Sequence, residues 1–474
     1  MKKIFSLLLI ICLTVCSFSL IGCQNNYKEQ LETTLTENYK TIISILEEAE
    51  TSNDVKDYLF HWASEKKIKI SYDNHDNVIM SVQATDGYAE APSTILQCTV
   101  DLNQIENTAL SMTAATYLLT SSASHGFLRV LFTSAPDGIE AISTNYLTAA
   151  NFISLDWHTA NEMLIGSAGS EHYTMDLDLH WNKPSYTHAY QIAVTGPSDI
   201  SYTETHHHPN PITIIGDILA QAQSNGILLE IASFNGGTSA DTYPGNVSCT
   251  VLVNQNDINK LLNRLEDAKD DFEGRYSSDE NLYTFSYFAT DIPEMVIDYN
   301  DAAKLVSFLY TCIDGTYLKD DAGEVIALSN IGKIRTTSGN LAVEICAASK
   351  SSDILAEMNS VFDTICGLCG ISYTVSAGTP VWENLSEENK KNYSESDTLE
   401  SGYETAASSL IEALDSELSA LTGKKTRKVR VFEKTACSVA ATHISSMNVV
   451  AFGITENGLA TQTQVLTNYL ANQK

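Results

Sequence analysis

Few residues of this 474-residue chain are placed to do chemistry. Cys23 stands directly after Gly22, at the end of an almost uncharged apolar run from Ile4 to Ile21, where a thiol can take lipid. Cys366 and Cys369 form a Cys-x-x-Cys pair, the spacing of a redox centre or of half a zinc site. No second pair lies nearby to complete a zinc site, and the flanking Ile365 and Gly367-Leu368 read as a buried helix end. His206-His207-His208 precede Pro209-Asn210-Pro211 and so fall in a loop. Adjacent histidines cannot all face one ion, so the run reads as an exposed polar loop, with surface metal scavenging as the alternative. There is no Gly-x-Ser-x-Gly elbow, no Ser–His–Asp arrangement and no glycine-rich phosphate loop.

Met1-Lys2-Lys3, the apolar run and the polar Gln24-Asn25-Asn26 have the order of a signal peptide over residues 1–22. Leu20-Ile21-Gly22-Cys23 resembles a lipobox, in which the thiol is diacylated and cleavage leaves the cysteine first. An uncleaved anchor is the other reading, since a run of about 18 apolar residues can just span a bilayer. Acyl chains on Cys23 would hold the protein to the outer face of a bacterial membrane, at about 0.8 kcal/mol per buried CH₂. The mature chain keeps 26 basic residues against 59 acidic ones, a net charge of −33. That surface repels phosphate backbones and anionic lipid head groups, which excludes nucleic acid as a partner and leaves the lipid as the contact with the membrane. Seven cysteines remain beyond Cys23, an odd and scattered set whose pairing the spacing leaves open.

The elements that must position any site come next. Tyr27 to Lys66 reads as helices, with Leu31, Leu35, Ile42, Ile43, Ile45 and Leu46 at near-helical spacing. Lys67–Tyr72 and Asn77–Val82 make a hairpin, Ser93–Val100 an apolar strand, Asn107–Leu119 a helix, and Phe127–Thr133 and Asn151–Leu155 further strands. Strands alternating with helices predict an α/β domain with a mostly parallel sheet over residues 23–171. From His172 the pattern changes to clean alternation at Tyr173–Trp181, with Tyr190–Val194 as its partner strand. Later strands and helices predict an α+β domain over 172–385. A charged, Ser-rich linker over 386–402 follows, and 403–474 resumes the α/β pattern. The predicted fold is a split α/β domain interrupted by an α+β lid.

Three segments carry a family resemblance over most of the mature chain: Gly166-Ser167-Ala168-Gly169, Phe234-Asn235-Gly236-Gly237-Thr238 and Ile334-Arg335-Thr336-Thr337-Ser338-Gly339-Asn340. In order and spacing they resemble the lid-entry segment and lid motifs of the aminoacyl-histidine dipeptidases, also called cytosolic non-specific dipeptidases. The resemblance implies a co-catalytic zinc peptidase whose catalytic domain is split by a lid that often mediates dimerisation. Two zinc ions need two histidines, a bridging carboxylate, two terminal carboxylates and a Glu that activates water.

Residue by residue, most of that set is missing. The family's His-x-Asp falls on Thr99-Val100-Asp101, its bridging Asp-Asn on Glu106-Asn107, and its Glu-Glu pair on Pro136-Asp137. Asp156 matches the next ligand. No histidine follows His443, Pro197–Ser201 lacks the substrate-contacting histidine, and Glu433–Val439 replaces a His-Ala-Gly-Leu-Glu-Cys-Gly stretch. The residual carboxylates Asp101, Glu106, Asp137 and Asp156, with no imidazole among them, suit Ca²⁺, Mg²⁺ or Mn²⁺ better than Zn²⁺. His158, two residues past Asp156, either points at that site or lies on the surface beside Trp157.

The expectation is a catalytically degenerate surface lipoprotein without a cofactor, binding a peptide or a cell-wall-derived ligand. Two alternatives stand beside it: a membrane-anchored metal-dependent dipeptidase with a rebuilt divalent-cation site, and a structural lipoprotein that forms a homodimer through its lid.

Overall fold

The computed structural model describes residues 28–135, 138–197, 200–205, 208–276, 283–384, 409–444 and 447–473. The signal segment with Cys23, the 386–402 linker, Asp137, and His206 with His207 lie outside the described residues. The chain divides into two compact units, residues 1–166 with 382–474 and residues 167–381, so the lid-like unit begins and ends a few residues before the boundaries placed after 171 and 385.

In the split unit the sheet order is Lys69–Tyr72, Val78–Val82, Leu128–Ser134, Thr94–Val100, Asn151–Trp157, Asn448–Gly453, Glu162–Ser167 and Trp382–Glu383, with Arg427–Val431 also paired to Glu162–Ser167. The four strands from Leu128–Ser134 to Asn448–Gly453 run parallel. The hairpin (Ile70 opposite Met80) is antiparallel, and the sheet is mixed.

Alternation along these strands sends side chains to two covered faces. Val78, Met80, Leu96, Cys98, Val130, Phe132, Ile153 and Leu155 pack on one face with residues of the helices over 28–48, Ser52–Lys66, Ile105–Thr120, Ser409–Thr422 and Leu459–Ala471. Ile79, Ile95, Leu131 and Phe152 pack on the other with Ile139, Leu147, Cys437 and Ala440. Gln97, Thr99 and Thr133 share the parity of this second face, with Thr99 and Thr133 at the carboxyl ends of their strands.

In the second unit every pairing of the main sheet with a defined register is antiparallel, and residues of helices Pro211–Ser224, Ile258–Tyr276, Tyr299–Thr311 and Ser352–Cys369 join one core with the strands. Gly169–Asp178 pairs with Asn340–Ser349 and Ser372–Ala377. It does not pair with His188–Thr195, the next strand of the same sheet, whose neighbours are Asn246–Val253 and Thr284–Thr290. Alternation identifies strands but not which strand a pleated face meets, and here the partner is more than 160 residues away. Cys366 and Cys369 do end a helix, capped by Gly370 in the left-handed conformation.

Asn210 shows how this unit is tied together. Its Oδ1 accepts from Ile212 N to cap the helix begun by Pro211, and its Nδ2 donates to Asp314 Oδ1 (2.8 Å) and to the Ile331 carbonyl. Asp314 also accepts from Ile331 N and Thr213 Oγ1, yet burial outweighs these bonds and pushes its carboxyl up to about 6. A carboxyl with a raised folded pKa stabilises fully below its unfolded value near 3.9, and that contribution is lost as pH rises through about 6. Asp314→Asn keeps the acceptor for Asn210 and Ile331 without the charge. Its stability is expected to lose the downward step between about pH 4 and 6, and to exceed the parent's by about 1–3 kcal/mol at pH 7, at about 1.4 kcal/mol per pKa unit. Denaturant melts across that range check this; superimposable pH profiles would refute it.

Candidate functional site

Asp156 and Thr99 stand side by side at the carboxyl ends of neighbouring parallel strands, where open α/β sheets bind ligands. Thr99 N donates to both Asp156 oxygens (3.0 and 2.9 Å), and Thr99 Oγ1 donates to Oδ2 at 2.7 Å. Behind it, the fully buried Gln97 donates from Nε2 to Thr99 Oγ1 and to Thr133 Oγ1, both at 2.9 Å. A relay of neutral donors therefore ends on the carboxylate. Two buried thiols flank it: burial first, and the Asp156 charge second, push Cys98 above the ordinary thiol range, and the same pair of causes raises Cys437. Both thiols stay protonated at neutral pH and are not nucleophiles.

The other expected carboxylates are employed differently. Asp101 Oδ1 accepts from Asn103 N (2.9 Å) and Nδ2 (3.2 Å), a local turn that leads into helix Ile105–Thr120. Glu106 lies exposed in the first turn of that helix, where a negative charge suits the helix dipole. Asp137 is outside the described residues. Asn77 accepts from Ser134 N and donates to the Gly138 carbonyl, and a Cβ on Gly138 would stand 2.5 Å from Asn77 Oδ1. Among the described residues, Asp101, Glu106 and Asp156 do not converge as a ligand group. His158 gives its Nδ1 hydrogen to the Ile454 carbonyl at 2.8 Å, and no group of three ligand side chains among the described residues includes it.

No protein-family model matches the chain. A curated relative, the cytosol non-specific dipeptidase of Escherichia coli, is 21% identical over 388 residues, covering 73% of this chain and 79% of its own. The crystal structure of aminoacylhistidine dipeptidase from Vibrio alginolyticus superposes with a TM-score of 0.71 at 18% identity, over 92% of this chain and 96% of its own. The chain has an aminoacylhistidine dipeptidase fold. It is a divergent homologue of the cytosol non-specific dipeptidase, and the split α/β architecture with a separate lid is that of the dipeptidase fold.

A co-catalytic zinc pair does not fit the residues that stand here. By the family resemblance a zinc ion would take imidazole at the position of Thr99, and its carboxylate partner would be Asp156. Instead the threonine's own hydrogens occupy the carboxylate. Gln97 and the bonding role of Thr99 were not visible in the sequence. The signal that could have exposed them is a pair of polar residues, Gln97 and Thr99, at alternate positions inside the mostly apolar buried strand Thr94–Val100.

Proposed function

We propose that this dipeptidase-fold protein binds without cutting, anchored through lipid on Cys23 at the outer face of a bacterial membrane and taking a peptide or a cell-wall-derived fragment. The observation that carries the reading is the Asp156 carboxylate closed by Thr99, a side chain with neither the imidazole to hold zinc nor the basicity to activate water. Pro136, at the position the family resemblance gives to the water-activating Glu, agrees with it. A missing general base typically forfeits about 10²–10⁴-fold in rate, and a missing metal more. The Gly22-Cys23 junction after an apolar run supports the anchor. Among the described residues no helix is long and apolar enough to cross a membrane.

The test uses protein extracted with detergent from bacterial membranes. Mass spectrometry is expected to find a mature N-terminus at an acylated Cys23. Calorimetry against mixed dipeptides and muropeptides is expected to show saturable binding, with every peptide recovered intact. An unacylated chain would overturn the anchor, and cleaved peptides would overturn the binding role.

A further inference from the structure

Within the lid-like unit, three side chains of different chemistry meet at one point. His172 and Cys346 are direct cross-strand partners in the antiparallel pair of Gly169–Asp178 and Asn340–Ser349. Asp241 reaches them from the loop that follows the Gly236-Gly237 segment. His172 Nε2 lies 2.8 Å from Asp241 Oδ1, while the Cys346 thiol donates to the Tyr202 hydroxyl at 3.3 Å. The ligand atoms of all three lie within 4.8 Å of one another.

The loop is held rather than loose. Asn330 Nδ2 donates to the carbonyls of Ala240 (2.7 Å) and Thr242 (3.0 Å), on either side of Asp241, and Tyr202 N donates to the Asp241 carbonyl. Gly332 permits the approach, since a Cβ there would stand 2.2 Å from the Ser239 carbonyl oxygen. Burial is graded: Cys346 is fully buried against the Tyr202 hydroxyl at 3.3 Å, whereas the His172 and Asp241 side chains are 34% and 51% exposed. The point they share is therefore open on its solvent side.

From this geometry we infer that His172, Asp241 and Cys346 form a binding site for a borderline-soft divalent transition metal ion of the Zn²⁺ class, with its fourth position open to water. Thiolate with imidazole selects such ions over Mg²⁺ or Ca²⁺, which take oxygen ligands. A Cys–His–Asp nucleophile is the competing use of these residues. It would need imidazole between an accessible thiol and the carboxylate. Here the thiol donates to the Tyr202 hydroxyl rather than to the imidazole, and no substrate reaches a fully buried sulfur. A divalent ion takes the place of the hydrogen Asp241 now accepts from His172. Binding releases the Cys346 proton to solvent and leaves the neutral imidazole hydrogen on Nδ1. The three ligands lie in the second unit, outside the split unit that carries Asp156.

The experiment is a Co²⁺ titration of the reduced full-length chain, read by absorption spectroscopy. The expected result is one equivalent bound, with a thiolate-to-cobalt charge-transfer band that Zn²⁺ abolishes by displacement. Cys346→Ser is expected to remove the band. His172→Ala and the surface substitution Asp241→Asn should each weaken binding at least ~10-fold, and they decide the matter if the serine variant fails to fold. Asp156→Asn and the His206→Ala, His207→Ala double variant should leave the titration unchanged. Absence of the charge-transfer band, affinity indifferent to His172→Ala and Asp241→Asn, or a band lost with Asp156 or His206 and His207 would each overturn the assignment.

Discussion

Gly237→Ala is expected to destabilise the lid-like unit by about 3 kcal/mol or more, the largest loss we foresee from adding a single methyl group. Gly237 sits at φ +72°, and its Cβ would lie 1.9 Å from the Gly332 carbonyl oxygen and 3.0 Å from Lys333 Cα. Two costs add: about 1–2 kcal/mol for an L side chain in left-handed backbone, and about 1–3 kcal/mol for overpacking against atoms that are backbone and cannot rotate away. At about 2–4 °C per kcal/mol for a unit of this size, its calorimetric transition should fall by about 6–12 °C. Gly323 supplies the control. It has φ +86° but open space around its Cβ, so Gly323→Ala should show only the first cost. Equal losses for the two variants would mean that the close strand approach at Gly237 is not what that motif secures.

The second large effect concerns Asp156. Asp156→Ala removes the acceptor of the Thr99 N–H and hydroxyl, leaving part-buried donors without a partner. At about 1–3 kcal/mol for each stranded group, the expected loss is about 2–4 kcal/mol, measured by denaturant unfolding in the presence of a chelator. The sign discriminates between accounts. A carboxylate kept for a metal sits in an empty site among like charges, and deleting it there relieves repulsion. An unchanged or raised stability for Asp156→Ala would therefore point back to a ligand role. Thr99→Val should cost less, since the backbone N–H still reaches the carboxylate.

Much of the scaffold could be read from residue patterns. The Ile70–Met80 hairpin, the helix predicted over 107–119 and found at Ile105–Thr120, and the parallel strands around Thr94–Val100 all follow from periodicity and local turn chemistry. These features are set by neighbours in sequence. What was not legible depends on neighbours in space. Nothing near residue 173 announces that Gly169–Asp178 must wait for Asn340–Ser349 as its partner. Asp156 could be matched to a ligand position through the family resemblance, but its engagement by Thr99 across 57 residues only appears once the strands are side by side. The His172, Asp241 and Cys346 cluster is the extreme case. Two members are cross-strand partners 174 residues apart, and the third comes from a loop seated on Gly332. Residue types at such separations are individually ordinary.

The proposed function pairs a dipeptidase fold with a centre that does not hydrolyse. The most direct measurement is release of amino acids from a panel of dipeptides by the purified full-length chain, with Zn²⁺, Mn²⁺ or Co²⁺ added in turn. The expected result is no release above a buffer control with any metal, with Asp156→Ala indistinguishable from the parent. Metal-dependent turnover that disappears in Asp156→Ala would contradict the account and restore the chain to the working peptidases.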